Sequence, residues 1–314
     1  MPIGDGPVRY LPRLYAALSA LAACVLPRHG KEVLRLIDAT PIPLTSLHKW
    51  ADWNGRTRGL KGLVVHDPDA DRPVRLEITA ATVKDVVVGR DQPIEPGATY
   101  VFDKAYVDYA WWCRLAEAGC CFVTRPKRNV PLRVIEERPV SEDDRNKAAI
   151  ETDTVVELAS QQRARLPIPL RQITLRRDDG RLLTILSNDV QRSAGDIAGL
   201  YRKRWQIELL FRWIKQHLKI RAFLGRSENA IRLQLFAAMI AYLLLRIAAH
   251  DTRSRLLALR FADLVRTRLF ERRPLTTIDT PHRDRALMLT TSPISPILDF
   301  PRTALRAAGK RGRR

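Results

Sequence analysis

The order of strand-like and helix-like segments constrains the fold of this chain more than any other feature. An apolar run at 32–40, EVLRLIDAT, is followed by two runs, 60–66 and 72–80, that flank the turn cluster DPDAD. Turn residues between two such runs are typical of a β-hairpin. A further apolar run at 98–103 precedes helical periodicity over 104–119. The pattern predicts a strand, a hairpin, a strand and a helix, in that order.

The second half of the chain changes character twice. A strand at 120–126 is followed by short β-like runs over 127–192, with Asp179-Gly180 as a hairpin turn. Helical patterns then return at 193–218, 228–250 and 254–273. The whole order predicts the α/β class: a mixed sheet with flanking helices and a β-rich insertion before the long helices.

The charge balance indicates a polyanionic partner. The 314 residues suffice for one large domain or two ordinary ones, and they carry 54 Lys and Arg against 34 acidic residues, a formal charge of +20. Such an excess favours DNA or RNA over an anionic membrane as the partner. The chain ends in the basic tail GKRGRR, which adds affinity for phosphates.

The cysteines and the apolar segments favour a cytosolic protein. No C-x-x-C pair is present, so buried thiols in a reducing compartment are the simplest interpretation of Cys24, Cys113, Cys120 and Cys121. Residues 13–24 resemble either a short lipoprotein signal or a helix over 10–26, and apolar residues at helical spacing favour the helix. The run at 235–245 is too short to span a bilayer, which predicts a buried helix.

Three carboxylates lie where a catalytic centre could form, although each has a simpler local interpretation. Asp38 ends the first strand, where an Asx-turn is common. Asp103 ends the later strand and precedes a helix, so it could be an N-cap. Glu208 lies among cations on a helix and could form an ion pair with a neighbour such as Arg204 or Arg212.

Taken together, the three acids predict a metal site. Two acids at the ends of neighbouring strands can lie side by side at one edge of a sheet, and an acid on an overlying helix can face them. Their mutual repulsion calls for cations, and Mg²⁺ or Mn²⁺ prefers such oxygen ligands. Two such ions can assist displacement at a phosphodiester. We therefore expect two ions at Asp38, Asp103 and Glu208.

A polar stripe on the helix that carries Glu208 supplies the matching cations. At about 100° per residue, Tyr201, Arg204, Glu208 and Lys215 fall within roughly 60° of one another. Apolar residues occupy the opposite side. The cations of this helix that we expect to contact the DNA backbone are Arg204, Arg212, Lys215 and Lys219.

The stripe matches Tyr-x₂-Arg-x₃-Glu-x₆-Lys, and this signature resembles that of the DDE transposases of insertion sequence family four. Asp38 in the pattern D-x-T resembles the first catalytic aspartate of that family. Asp103 in D-x-x-Y, with Tyr106 as its tyrosine, resembles the second, and Glu208 resembles the third acid. The resemblance implies that Tyr201, Arg204 and Lys215 contact the terminal phosphate of the DNA. It also implies a ribonuclease-H-like fold with a β-rich insertion between the second aspartate and the glutamate.

The resemblance also implies an organisation of the chain. Members usually carry a substantial helical N-terminal domain, and here about 30 residues precede the first strand. The expected segments are 1–30, a remnant of the helical domain; 31–126, the first part of the core; 127–192, the insertion; 193–275, the remaining helices of the core; and 276–314, an extension with the basic tail.

The function implied by the resemblance is metal-dependent cleavage at transposon ends and strand transfer into target DNA. The partners would be terminal repeats and target DNA, not a membrane, with a homodimer on DNA as one assembly. The location would be the cytoplasm, with nucleoid association when DNA is bound. Two alternatives remain open: a catalytically idle, truncated transposase that binds DNA, and a ribonuclease-H-like nuclease. The insertion contains no tryptophan, so DNA hairpin chemistry is not expected.

Overall fold

A computed structural model describes residues 10–268, apart from 31, 56–57, 129, 160–165, 218–222, 255 and 257. The described part contains helices and strands in alternating groups. The helices are α1 (Tyr10–Val25), α2 (Asp85–Arg90), α3 (Tyr109–Glu117), α4 (Glu142–Ala148), α5 (Ala194–Lys203), α6 (Trp205–His217), α7 (Glu228–Asp251) and α8 (Ala258–Arg268). The strands are β1 (Leu34–Pro43), β2 (Gly59–Asp67), β3 (Arg72–Ala80), β4 (Thr99–Phe102), β5 (Cys121–Thr124), β6 (Leu132–Glu137), β7 (Ile150–Leu158), β8 (Leu170–Arg176) and β9 (Leu182–Ser187).

The strands form one mixed, nine-stranded sheet. Its order is β3-β2-β1-β4-β5-β9-β8-β7-β6. The first three strands along the chain form an antiparallel meander, whereas β1, β4 and β5 run parallel to one another. This arrangement confirms the predicted α/β class with a ribonuclease-H-like mixed sheet. It also places the carboxyl ends of β1, β4 and β5 at the same edge.

The β-rich segment after β5 extends this sheet. Strand β9 pairs antiparallel with β5 through Thr124↔Leu186, and β8, β7 and β6 follow outward as antiparallel neighbours. The predicted hairpin turn between β8 and β9 is confirmed, since Gly180 has a φ of 76° that suits glycine. Helix α4, which was not predicted, begins after Ser141, whose hydroxyl accepts a hydrogen bond from the Asp144 amide. The predicted domain boundaries stay a prediction.

Both faces of the central strands of the sheet are buried, whereas the edge strand β6 is largely exposed. On one face, β1 side chains such as Leu36 and Ile42 share a core with α1, α5, α6 and α7. On the other face, Ile37 and Phe102 share a core with α3, including Trp111 and Trp112. Alternate residues of β1 therefore point to opposite faces. Asp38 lies two residues after Leu36 on β1, so the Asp38 side chain points to the same face as Leu36, toward α5 and α6.

Helices α1 and α7 pack together beside the edge strand β3. The α1 side chains Tyr15 and Ser19 donate hydrogen bonds to the Pro73 carbonyl of β3, so the helix predicted over 10–26 is confirmed as a packed element. Among the described helices, α7 is long and apolar enough to cross a membrane by length and composition alone. Its side chains such as Leu235 and Met239 are buried in the core, as expected for a core helix.

The helix predicted over 104–119 is divided in the structure. Lys104–Tyr106 form a 3₁₀ turn, and α3 begins only at Tyr109. The cause is a pair of capping aspartates. Asp103 caps the 3₁₀ turn and Asp108 accepts a hydrogen bond from the Trp111 amide at the start of α3.

Candidate active site

The first two acids meet where the parallel pairing of β1 with β4 ends. The prediction that Asp38 ends its strand is wrong, because β1 continues to Pro43 as a partner of β2. Ile37 of β1 is in register with Phe102 of β4, so Asp38 and Asp103 are the next residues on neighbouring strands. The Asp38 side chain is 21% exposed, which leaves it accessible from the solvent. Asp103 directs one oxygen to the amide of Ala105, 2.5 Å away.

The third acid approaches from α6, which packs over β1. Ile207 and Leu210 of α6 belong to the same buried core as the β1 side chains, so Glu208, between them, lies at the border of that core. Arg204 joins it to the strand. The guanidinium Nη2 lies 2.6 Å from Glu208 Oε1 and Nη1 lies 3.0 Å from Asp38 Oδ2. One arginine thus connects two of the three predicted acids.

The pKa of Asp38 is affected by the charges of the other two acids. Burial is the main cause that raises the pKa of Asp38 to about 6, and the charges of Asp103 and Glu208 raise it further. The hydrogen bond from the Ala39 amide and the charge of Arg204 oppose this rise. The acids are therefore close enough to repel one another, and they favour a cation between them.

The local interpretation holds for Asp103 and Glu208, whereas the Asx-turn expected at Asp38 is wrong, because β1 continues through Asp38 and pairs with β2 as far as Pro43. Asp38 accepts a hydrogen bond from the Ala39 amide at 2.8 Å, Asp103 caps a 3₁₀ turn, and Glu208 pairs with Arg204. These contacts occupy some of the carboxylate oxygens and leave others free. Local roles and a common site are thus compatible at these positions.

Two tyrosines surround the acids. Tyr201, on the last turn of α5, is buried, and the Arg204 guanidinium carbon lies 5.7 Å from its ring centroid. Tyr106 is buried on the opposite face of the sheet, and its pKa is raised well above the ordinary value by burial and by the charges of Asp38, Asp85 and Asp103. Within the described residues, neither hydroxyl proton has an acceptor, although the Tyr201 oxygen lies beside the Arg204 guanidinium.

The predicted cations differ in their surroundings. Lys215 is exposed, and its pKa is lowered by partial burial while the charge of Asp38 acts in the opposite direction. Arg212 is exposed, with its guanidinium carbon 5.8 Å from the Trp205 ring centroid rather than beside the acids. Lys219 lies outside the described residues. The structure therefore brings Arg204 and Lys215 toward the acids.

The helix predicted over 193–218 is interrupted at Arg204. The Arg204 amide donates to the Tyr201 carbonyl, and the Ile207 amide donates to the Arg204 carbonyl, so both hydrogen bonds span three residues. Bonds of this spacing tighten a helix locally. The stripe is consequently carried by α5 and α6 with a turn between them, and Arg204 lies at that turn.

Sequence reasoning missed Arg125. Val101 of β4 pairs with Val123 of β5, so Arg125 follows the third parallel strand just as Asp103 follows the second. The charge of Arg125 lowers the pKa of Tyr201, whose net rise comes from burial, so the two side chains are near each other. The signal was present in the sequence: three strands predicted in one sheet end in Asp38, Asp103 and the residues TR at 124–125.

The donor set suits a hard divalent cation. Within the part of the chain that the structure describes, no group of three His, Cys, Asp or Glu side chains is arranged as a ready metal site. The Arg204 guanidinium instead lies between Asp38 and Glu208. The ligands present are carboxylate oxygens in a site that already attracts a cation, and such oxygens fit Mg²⁺ or Mn²⁺.

Comparisons with known proteins agree with this geometry. Residues 29–244 match the family model described as "Transposase DDE domain". The chain belongs to the DDE transposases. The matched residues include the strands that carry Asp38 and Asp103 and the helix that carries Glu208. Proteins of this family use divalent metal ions, and DNA is their partner.

Individual relatives support the same assignment. The chain is 52% identical over 284 residues to "Putative transposase y4zB" of Sinorhizobium fredii, covering 89% of this chain and 80% of that protein. It is 31% identical over 235 residues to "Probable transposase for insertion sequence element IS5377" of Geobacillus stearothermophilus, covering 74% and 61%.

Shorter and more distant matches complete the comparison. A stretch of 51 residues is 49% identical to "Putative transposase for insertion sequence element IS4SA" of Synechocystis, covering 16% of this chain and 15% of that protein. Together with the family-model match, these relatives support the expected DDE transposase of the insertion sequence family four type. The structure of a piggyBac transposase synaptic complex with hairpin DNA aligns over 87% of this chain and 62% of that one, with a TM-score of 0.46 and 12% identity.

Proposed function

We propose that this chain cleaves DNA strands at transposon ends and joins the freed ends to target DNA by a cut-and-paste mechanism. The observation that carries the proposal is the Arg204 bridge. It connects Asp38 in the middle of β1 to Glu208 on α6, beside Asp103, which directly follows β4. Three acids on three separate elements are thus gathered at one edge of the sheet.

In this proposal Asp38, Asp103 and Glu208 hold two Mg²⁺ or Mn²⁺ ions. Bound there, the ions supply Lewis acidity for an in-line displacement at a phosphodiester. Burial of Asp38 and the fixed positions of β1 and β4 orient the carboxylates before DNA binds. A water molecule would cleave the transposon end, and the freed 3′-hydroxyl would attack target DNA without a covalent intermediate on the protein.

The cations of α5 and α6 bind the DNA backbone in this account. Arg204, Lys215 and Arg212 would contact phosphates near the acids, and Tyr201 would position the terminal phosphate. The same role is proposed for Lys219, which lies outside the described residues. The proposed partners are terminal repeats and target DNA, which a homodimer of this chain would bind. The protein would be in the cytoplasm and would associate with the nucleoid when DNA is bound.

Nicking of supercoiled plasmid tests the proposal. We expect nicks with Mg²⁺ or Mn²⁺, weaker nicking with Ca²⁺, and none in excess chelator, because Ca²⁺ tolerates looser coordination. Nicking that persists in chelator would contradict the metal site. Binding of DNA without nicking in any metal would instead support the catalytically idle alternative.

A further inference from the structure

Arg204 uses carboxylate oxygens that the proposed metal ions would need. Its guanidinium makes hydrogen bonds of 3.0 Å to Asp38 and 2.6 Å to Glu208, and its side chain is 18% exposed. Charge-assisted hydrogen bonds of this length are strong, and the planar guanidinium suits two carboxylates at once. A divalent ion between the same oxygens would have to displace it.

We propose that Arg204 is an internal counter-ion that competes with the divalent cation for Asp38 and Glu208, and that it turns to a DNA phosphate when the cation binds. The inference rests on the proposed function, because it requires the acids to bind metal. It adds that metal binding and the phosphate contact of Arg204 are one linked event. By linkage, metal should then strengthen DNA binding and DNA should strengthen metal binding.

Unused donors beside the bridge favour an anionic second partner for Arg204. The Nε of Arg204 is buried and has no hydrogen-bond partner within the described residues. The Tyr201 hydroxyl lies beside the guanidinium, which can donate to that oxygen but cannot accept its proton, so this proton also lacks an acceptor among the described residues. A phosphate has several acceptor oxygens, so one phosphate could satisfy both donors.

The position of Arg204 suits a side chain that exchanges partners. Its backbone lies at the turn between α5 and α6, fixed by hydrogen bonds to Tyr201 and Ile207. The Tyr201 ring, 5.7 Å from the guanidinium carbon, offers a face that stabilises a cation in either arrangement. The side chain can therefore reorient while its backbone stays in place.

The charges around the acids explain why an internal cation is useful. Asp38 faces Asp103 and Glu208, and the cations that act on it from the packed elements are Arg204 and, more remotely, Lys215. Without Arg204 the repulsion among the acids would be poorly balanced. Arg204 thus keeps the acids together until a stronger cation takes its place.

Mn²⁺ affinity, measured by titration calorimetry without DNA, tests the inference. Arg204→Ala removes the competitor, so Mn²⁺ should bind about tenfold or more tightly than to the wild type. Arg202→Ala is the matched control, because Arg202 is an exposed neighbour on α5 that also carries one positive charge. It should change the affinity less than about twofold, since exposed charges are screened.

The outcomes separate the inference from the proposed function. Equal Mn²⁺ affinity in the wild type and Arg204→Ala would overturn the competition while leaving the metal site intact. Equal tightening in Arg202→Ala and Arg204→Ala would also overturn it, because a general charge effect would then suffice. Absence of Mn²⁺ binding in all three proteins would overturn the metal site and, with it, the proposed function.

Thermal melting gives a second readout. It remains usable if a variant is less stable than the wild type, because the melting temperature itself is measured. In chelator, Arg204→Ala should melt below the wild type, because Asp38 and Glu208 lose their counter-ion. Mn²⁺ should raise its melting temperature more than that of the wild type. Arg204→Lys, which keeps the charge but not the fork, should lie between them. An equal rise in all three proteins would contradict the competition.

Discussion

At the scale of single residues, the acids show how local and functional roles share one side chain. Asp103 caps a 3₁₀ turn, yet it also follows β4 beside Asp38. The residues next to Asp103 in the sequence indicate only the capping role. That Asp103 and Asp38 are neighbours follows from the order of the strands in the sheet. Arg204 could be recognised from its spacing, but its bridge between two elements depends on how α6 packs over β1.

Arg125 should contribute to DNA binding although the sequence motif omits it. Arg125→Ala removes one cation near Tyr201 at the acid edge, so we expect DNA affinity to fall several-fold and the slope of log affinity against log salt to flatten by about one. Arg177→Ala, in the exposed β8–β9 turn, is the control. Fluorescence anisotropy at several salt concentrations measures both. An equal loss in the control would indicate a general charge effect.

His66 should make the protein sensitive to acid. Its ring is fully buried on β2, and burial lowers its pKa to about 4, although Asp71 and Asp67 oppose that shift and Arg246 and Arg72 support it. The unfolded chain takes up this proton near pH 6.5, whereas the folded chain does not. Stability should therefore fall as pH drops from about 6.5 to about 4, by at most about 3 kcal/mol.

Urea unfolding at pH 7.5 and pH 5 measures this effect. His66→Leu removes the titrating ring, so it should show a smaller loss of unfolding free energy between the two pH values than the wild type. His250→Leu changes an exposed histidine and should leave the loss unchanged. If His66→Leu loses as much stability as the wild type, His66 does not control the acid response.

At the scale of elements, two ion pairs join strands β7 and β8 of the insertion. One pair is buried and the other is exposed. Asp153 of β7 accepts hydrogen bonds of 2.7 and 2.5 Å from Arg171 of β8, and both side chains are 3% exposed. Glu151 of β7 pairs with Arg176 of β8 at the exposed end. The two pairs share their chemistry and differ in burial.

Removing the acid of each pair should have very different costs. Asp153→Ala leaves Arg171 buried and unpaired, so the free energy of unfolding should fall by about 3–5 kcal/mol. Glu151→Ala should cost less than about 1 kcal/mol, because Arg176 stays hydrated. Chemical denaturation compares them. Similar costs for the two variants would show that burial of the β7–β8 pair does not determine its contribution.

The order of the elements was predictable from the sequence, whereas the end of β1 and the pairing of distant elements were not. The hairpin of β2 and β3, the end of β4 just before Asp103, and the turn at Gly180 follow from local patterns. The strand end predicted at Asp38 is wrong, because β1 continues to Pro43 by pairing with β2. The pairing of β9 with β5, which makes the insertion part of the main sheet, is a contact across more than 60 residues. Periodicity also cannot detect a three-residue hydrogen bond such as that of Arg204, since Arg204 itself remains in a helical conformation.

At the scale of the whole molecule, fold and charge point to the same edge of the sheet. Strands β4 and β5 end beside the middle of β1, where Asp38 lies, and α5 and α6 bring cations over that region. A formal charge of +20 draws the protein to DNA in general, but the acids can approach the backbone only where cations surround them. Single substitutions on the α5–α6 surface should therefore separate DNA binding from strand cleavage.

One comparison tests this account most directly: plasmid nicking and metal-free DNA binding of Glu208→Gln and Lys215→Ala. Glu208→Gln removes a metal ligand, so nicking with Mg²⁺ should fall by several orders of magnitude. Its DNA binding in chelator should hold or tighten, because a negative charge near the phosphates is lost. Lys215→Ala should bind DNA more weakly, with a salt slope lower by about one. Loss of binding in Glu208→Gln, with Lys215→Ala unaffected, would show that Glu208 is structural and that this surface does not face DNA.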